Sequence, residues 1–159
     1  MDHHHITFTR RTVLSLIAVG TAVLAKPSLA QNQTDIRVWK DPGCGCCGAW
    51  VEHLRRSGFA PLVTDTTNMH AIKAQFGVPA ALASCHTARV GDYVIEGHVP
   101  APAIIELLAQ RPAGLGLAVP GMPPGSPGME GASPEIYDVI LFGSGMQTSY
   151  ARFMGSRRI

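Results

Sequence analysis

The stretch Asp41-Pro42-Gly43-Cys44-Gly45-Cys46-Cys47-Gly48 places three of the chain's four cysteines within four consecutive positions. It falls between two elements of different period. Upstream, Ile36-Arg37-Val38-Trp39 alternates apolar and polar residues as a strand does, and Pro42-Gly43 ends it. Downstream, residues 49–57 read as a helix, with Trp50, Val51 and Leu54 on one face and Glu52, Arg55 and Arg56 turned to water. Gly58 stops that helix. The fold must therefore carry a cluster of thiols in the turn from its first strand to its first helix.

The remaining elements fit around that turn. Residues 59–64 form a second strand, and Asn68 caps a short helix whose Met69, Ile72 and Phe76 recur at i, i+3 and i+7. Residues 80–99 read as a hairpin turning at Gly91-Asp92, and residues 103–110 as a third helix packed through Ile104, Ile105, Leu107 and Leu108. Residues 114–131 contain ten Gly or Pro, which predicts neither helix nor strand. A last strand over 136–142 turns at Gly143-Ser144-Gly145 into a polar tail. The order β–α–β–α–β–β–α is α/β. With the cysteine motif in the first βα loop it predicts a thioredoxin-like fold, carrying a Gly/Pro/Met-rich C-terminal extension from about residue 112 and a terminal strand.

Residues 1–30 have the pattern of an export signal. Arg10-Arg11 precedes an apolar run from Val13 to Ala25, and Ser28-Leu29-Ala30 offers small residues for cleavage before Gln31. The run is short for a spanning helix. Thr9-Arg10-Arg11-Thr12-Val13-Leu14 resembles a twin-arginine signal, with a general secretory signal or an uncleaved anchor as the alternatives. His3-His4-His5 precedes the signal and would be lost with it. The expected mature domain, residues 31–159, balances its charges: Lys plus Arg falls from 13 to 10 and Asp plus Glu from 11 to 10. That excludes a basic nucleic-acid surface and leaves the membrane in contact with the export signal alone. Periplasm-like compartments are oxidising, so thiols there are oxidised, metal-bound or kept reduced by a partner.

Cys44 and Cys47 form a C-x-x-C pair, the spacing of a disulfide catalyst with Cys44 as nucleophile and Cys47 as resolving thiol. Cys46 is superfluous to that chemistry. Three thiolates in four residues instead suit a soft metal, with one sulfur left to bridge to a second ion. Backbone N–H groups at a helix start favour thiolate and so serve both readings. The hairpin register that opposes Val90 to Tyr93 opposes His86 to Gly97 and Cys85 to His98, gathering Cys85, His86 and His98 at the end of the sheet near the cysteine turn. Strand alternation would let only one of Cys85 and His86 face a given ion. A competing register starts this strand at Val78-Pro79, with a cis-proline, and carries Cys85 away from the turn. Met122 and Met129, in the Gly/Pro segment, offer thioethers suited to Cu(I), or simply pin a loop. His53 and His70 read as surface residues, and Trp39 and Trp50 as core or site wall.

Three segments, "VWKDPGCGCCGAWVEHLRRSGF", "GVPAALASCHTARVGDYVIEGHVP" and "GLAVPGMPPGSPGME", together resemble the periplasmic CopG-like copper-resistance proteins. The resemblance implies a thioredoxin-like domain whose extension helps to bind metal, copper held beside the C-x-C-C cysteines, and interconversion of Cu(I) and Cu(II) ahead of export by periplasmic copper-efflux components. The positions it marks are Cys44, Cys46 and Cys47, with Met122 and Met129, and by matched context Cys85, His86 and His98.

Overall fold

The computed structural model describes Met1, residues 33–131 and residues 133–159. The expected export signal, its expected cleavage site and His3-His4-His5 lie outside the described residues. No helix among the described residues is long and apolar enough to cross a membrane.

Among the described residues, three helices and eight strands follow in the order β1 (Thr34–Lys40), α1 (Gly45–Arg56), β2 (Phe59–Asp65), α2 (Met69–Gln75), β3 (Thr87–Val90), β4 (Tyr93–Glu96), α3 (Ala101–Gln110), β5 (Gly116–Ala118), β6 (Ile136–Gly143), β7 (Met146–Met154) and β8 (Arg157–Arg158). A 3-10 turn at Ala80–Leu82 precedes β3. All strands join one mixed sheet in the order β2-β1-β3-β4-β5-β6-β7-β8. The parallel pairs β1–β2 and β4–β5 are each bridged by a helix; β3–β4, β6–β7 and β7–β8 are hairpins, while the antiparallel pairs β1–β3 and β5–β6 are joined by longer connections.

Two apolar clusters hold the layers together. The larger joins Ile36 and Val38 of β1, Trp50 and Leu54 of α1, Ile95 of β4, Ile104 and Leu107 of α3, and Phe153 of β7. The smaller joins Val94, Ala118 and Phe142 to Leu82 and to Phe76. Val94 and Ile95, adjacent in β4, thus belong to different clusters, as strand alternation demands. Each fully buried Leu, Ile or Phe contributes about 1.5–3 kcal/mol relative to exposure. Asn68 caps α2 as expected, its Oδ1 accepting from Ala71 N at 3.3 Å. The helix itself buries no residue fully, and Phe76 beyond its end meets Trp39 at 4.8 Å between ring centroids.

Three expectations need correction. Helix α1 begins at Gly45, four residues before the expected start at 49, because nothing in Gly45-Cys46-Cys47-Gly48 prevents helical dihedrals. Within the Gly/Pro segment, residues 116–118 form β5. Gly116 is what admits it: a Cβ there would stand 1.8 Å from the Val94 carbonyl oxygen. The polar tail is two more strands, with Ala151 and Phe153 of β7 buried beneath an otherwise polar sequence. The cis-proline register also fails. No cis peptide bond occurs among the described residues, and Pro79 caps the 3-10 turn rather than opening a strand.

Candidate metal centre

The earlier start of α1 decides where the thiols stand. Cys44 is its N-cap, and Cys46 and Cys47 lie in its first turn. Cys44 and Cys47 are joined as a disulfide, with their Cα atoms 5.4 Å apart. Cys46 and Cys85 are free. The Cys46 Sγ sits 3.5 Å from that of Cys44, and the four sulfur atoms all lie within 4.8 Å of one another.

The hairpin supplies Cys85. Its ladder runs from Val90↔Tyr93 to Thr87↔Glu96 and gains one more bond from Gly97 N to His86 O at 3.0 Å. Cys85 then meets His98, Sγ to Nε2, at 3.2 Å. Cys85, His86 and His98 form a second group with ligand atoms within 4.8 Å, so Cys85 belongs to both groups. Cys85 and His86 both reach it because β3 starts only at Thr87, leaving them outside the strand whose alternation would have separated them.

The two imidazoles are prepared differently. His98 Nδ1 lies 2.8 Å from the Pro127 carbonyl oxygen. That oxygen can only accept, so Nδ1 carries the proton and Nε2 presents its lone pair towards Cys85. His86 is fully buried against Trp50, 4.3 Å between ring centroids, and neither of its ring nitrogens has a partner. An unsatisfied buried polar group costs about 1–3 kcal/mol, and neutral His86 leaves one N–H and one lone pair unmet beside Cys85 and His98, so the lone pair is free to meet a ligand-seeking ion. Burial holds His86 well below the ordinary imidazole range, assisted by the charges of His98 and Lys73. Burial also lowers His98, opposed by its bond to Pro127 and by Glu130. Both rings are thereby kept in the neutral, ligating form. Burial pushes the Cys85 thiol up, with the neighbouring Cys46 acting in the same direction.

The segment after β5 crosses over the thiols. Ser84 Oγ bonds to Gly121 O, and Pro127 bonds to His98. Gly128, at φ +91°, is packed so closely that a Cβ would come within 2.6 Å of Cys46 O and 2.9 Å of Trp50 N. Met122 is 51% exposed and lines a shallow groove of about 320 Å3 with Ala83, Ser84, Cys85 and Gly121. Met129 is half-buried, one residue beyond Gly128.

Two residues escaped the sequence reading. His53 is not a surface residue: it is half-buried, and its Nε2 accepts from Ala101 N at 3.0 Å, satisfying an amide at the start of α3. Its i, i+3 relation to the buried Trp50 was the available signal. Glu96, a lone charge in the apolar run Tyr93-Val94-Ile95-Glu96, is fully buried. His70 is exposed, as expected.

Comparison with known proteins covers part of this site by family profile and most of the chain by structure. The profile of a protein of unknown function, DUF411, matches residues 82–129, the span from Leu82 through Cys85, His86, His98 and Met122 to Met129. Two solved structures, both named copper resistance protein CopG (forms 1 and 2), are 40% identical to the chain. They superpose with TM-scores of 0.72 and 0.71, covering 76% of this chain and 98% of theirs. The chain belongs to the CopG family. Comparison with the curated proteins gives no match. In this CopG-family chain the cluster is four sulfurs, two of them joined as the Cys44–Cys47 disulfide, and two imidazoles, soft groups that could hold a metal such as copper and do not suit hard, oxygen-seeking ions.

Proposed function

We propose that the chain is an exported periplasmic protein that takes copper as its cargo, on a thioredoxin-like scaffold, and interconverts Cu(I) and Cu(II). The observation that carries this reading is the pair of donor groups sharing Cys85, one of four sulfurs and one completed by His86 and His98. A shared thiolate can bridge two ions, so the site suits more than one copper. Met122, at the rim beside Cys85, offers a thioether to incoming Cu(I), and Met129 a further one from the overlying segment. The resemblance to proteins named for copper resistance supports the choice of metal.

Cys44 and Cys47 must be reduced before they can ligate. The disulfide takes two electrons and two protons to give two thiols, and two Cu(I) ions passing to Cu(II) release two electrons, so the exchange balances at two copper ions per disulfide. Soft sulfur favours Cu(I) and imidazole tolerates Cu(II), so a mixed shell accommodates both.

The disulfide itself favours a second reading, a thiol–disulfide oxidoreductase with Cys44 attacking and Cys47 resolving. The two readings separate at Cys46. Reduced mature chain titrated anaerobically with Cu(I) should hold more than one tightly bound copper with its thiols protected from alkylation, and Cys46→Ser should lower that stoichiometry. No tight copper, with disulfide exchange intact in Cys46→Ser, would establish the oxidoreductase instead.

A further inference from the structure

We propose that Glu96 is the positioning residue of the metal centre, holding the Cys85-His86 dipeptide at the cysteine turn; this rests on the copper-binding reading above. The Glu96 carboxylate is fully buried at the end of β4. Its Oε1 accepts from Lys73 Nζ and from the backbone N–H of Ser84, both at 2.6 Å. Its Oε2 accepts from Thr87 Oγ1 at 2.7 Å, and Lys73 Nζ also donates to that hydroxyl at 3.1 Å. Ser84 immediately precedes Cys85 and Thr87 immediately follows His86. One carboxylate therefore brackets both candidate ligands, from a strand that also carries the chain on to His98.

The bracket is needed because residues 83–86 have left the 3-10 turn and have not yet joined β3. Between Ala83 and Thr87 the only ladder-like bond is the one from Gly97 N to His86 O. The backbone beside Glu96 is shaped to the same end. Gly97, at φ +71°, lies where a Cβ would stand 2.6 Å from Ser84 Cβ and Oγ, so β4 runs directly against the residue that Glu96 holds. Stability alone does not account for the arrangement. A buried ion pair is commonly replaceable by apolar residues of like volume without loss, because desolvation offsets the attraction. What apolar residues cannot supply is an acceptor for Ser84 N–H.

The test uses substitutions that separate charge, shape and acceptor. Glu96→Gln keeps an acceptor towards Ser84 and is expected to match the parent. Lys73→Met with Glu96→Leu keeps an apolar, folded interior and removes the acceptor. Glu96→Asp keeps the charge for Lys73 but withdraws the acceptor, and gives the same reading should the double variant not fold. In the metal-free reduced protein, exchange of the Ser84 amide is expected to quicken at least tenfold in the acceptor-less variants and to stay unchanged in Glu96→Gln. In the copper-loaded protein, the acceptor-less variants should leave Cys85 open to alkylation and shift the thiolate–copper absorption. Folded acceptor-less variants with parental Ser84 exchange, Cys85 protection and absorption would overturn the assignment. Absence of copper binding by the parent would overturn the copper reading instead, and Ser84 exchange would still report on the bracket.

Discussion

At the scale of single residues, the site sacrifices stability for readiness. His86 is buried with both nitrogens unpartnered, tilted against Trp50 and edge-on to His98. Leucine has nearly the same volume and no lone pairs to strand. His86→Leu is expected to stabilise the metal-free protein by about 1 kcal/mol, read from denaturant midpoints, while lowering copper stoichiometry in the same preparation. A destabilised variant would mean that the imidazole is satisfied in a way the metal-free structure does not display. The grouping of these side chains was legible: thiols clustered in one turn and a Cys-His pair opposite a His are visible without coordinates. The sequence could not disclose Glu96 or the burial of His86, because both depend on which side chains close over them from α2 and α1.

At the scale of elements, the start of α3 depends on a side chain of α1. Pro100 is the N-cap and offers no side-chain acceptor, so Ala101 N–H turns to His53 Nε2. Burial lowers the His53 pKa, with Arg56 acting in the same direction and Glu130 against it. The sign follows from proton binding. Above the unfolded value near 6.5 both states are neutral and the cap contributes fully. As pH falls below that value the unfolded chain takes up a proton that the native chain resists, and stability declines by at most about 1.4 kcal/mol per pH unit. His53→Ala should cost about 0.5–2 kcal/mol at pH 8, by analogy with a lost helix cap, and less at pH 5. Equal losses in unfolding experiments at both values would show that the cap does not titrate. Element boundaries were legible where a periodic face met a Gly or Pro, as at Gly58 and Arg111-Pro112. The sequence reading failed at α1, where four residues of Gly and Cys carry no periodicity, and at β7, where Ala151 and Phe153 alone mark the buried face.

At the scale of the whole molecule, β5 is the seam. It pairs with β4 on one side and β6 on the other, joining the part of the sheet that carries the cysteine turn to the C-terminal hairpin. Gly116 permits that seam, since a methyl group there would collide with the Val94 carbonyl. Gly116→Ala is expected to destabilise the protein by more than about 4 kcal/mol or to prevent folding, whereas Gly45→Ala, at a position with open space around it, should be tolerated. Comparable thermal melts for the two variants would show that the seam can shift. A run of Gly and Pro read as irregular hid this strand, because its glycine answers to a neighbour distant in sequence.

The placement of β5 beside β6 also sets how the overlying segment behaves. The chain leaves from β5 and returns in β6, its immediate neighbour, so the sheet has already met the entropy of closing the connection between them. Lifting residues 120–131 from the thiols would give up the bonds of Pro127 to His98 and Gly121 to Ser84 and the packing at Gly128, while Val119 keeps its bond to the Glu96 carbonyl and its place in the core. The fold is thus held by the sheet and the cover over the thiols by a few bonds, like a hinged lid on a sealed box.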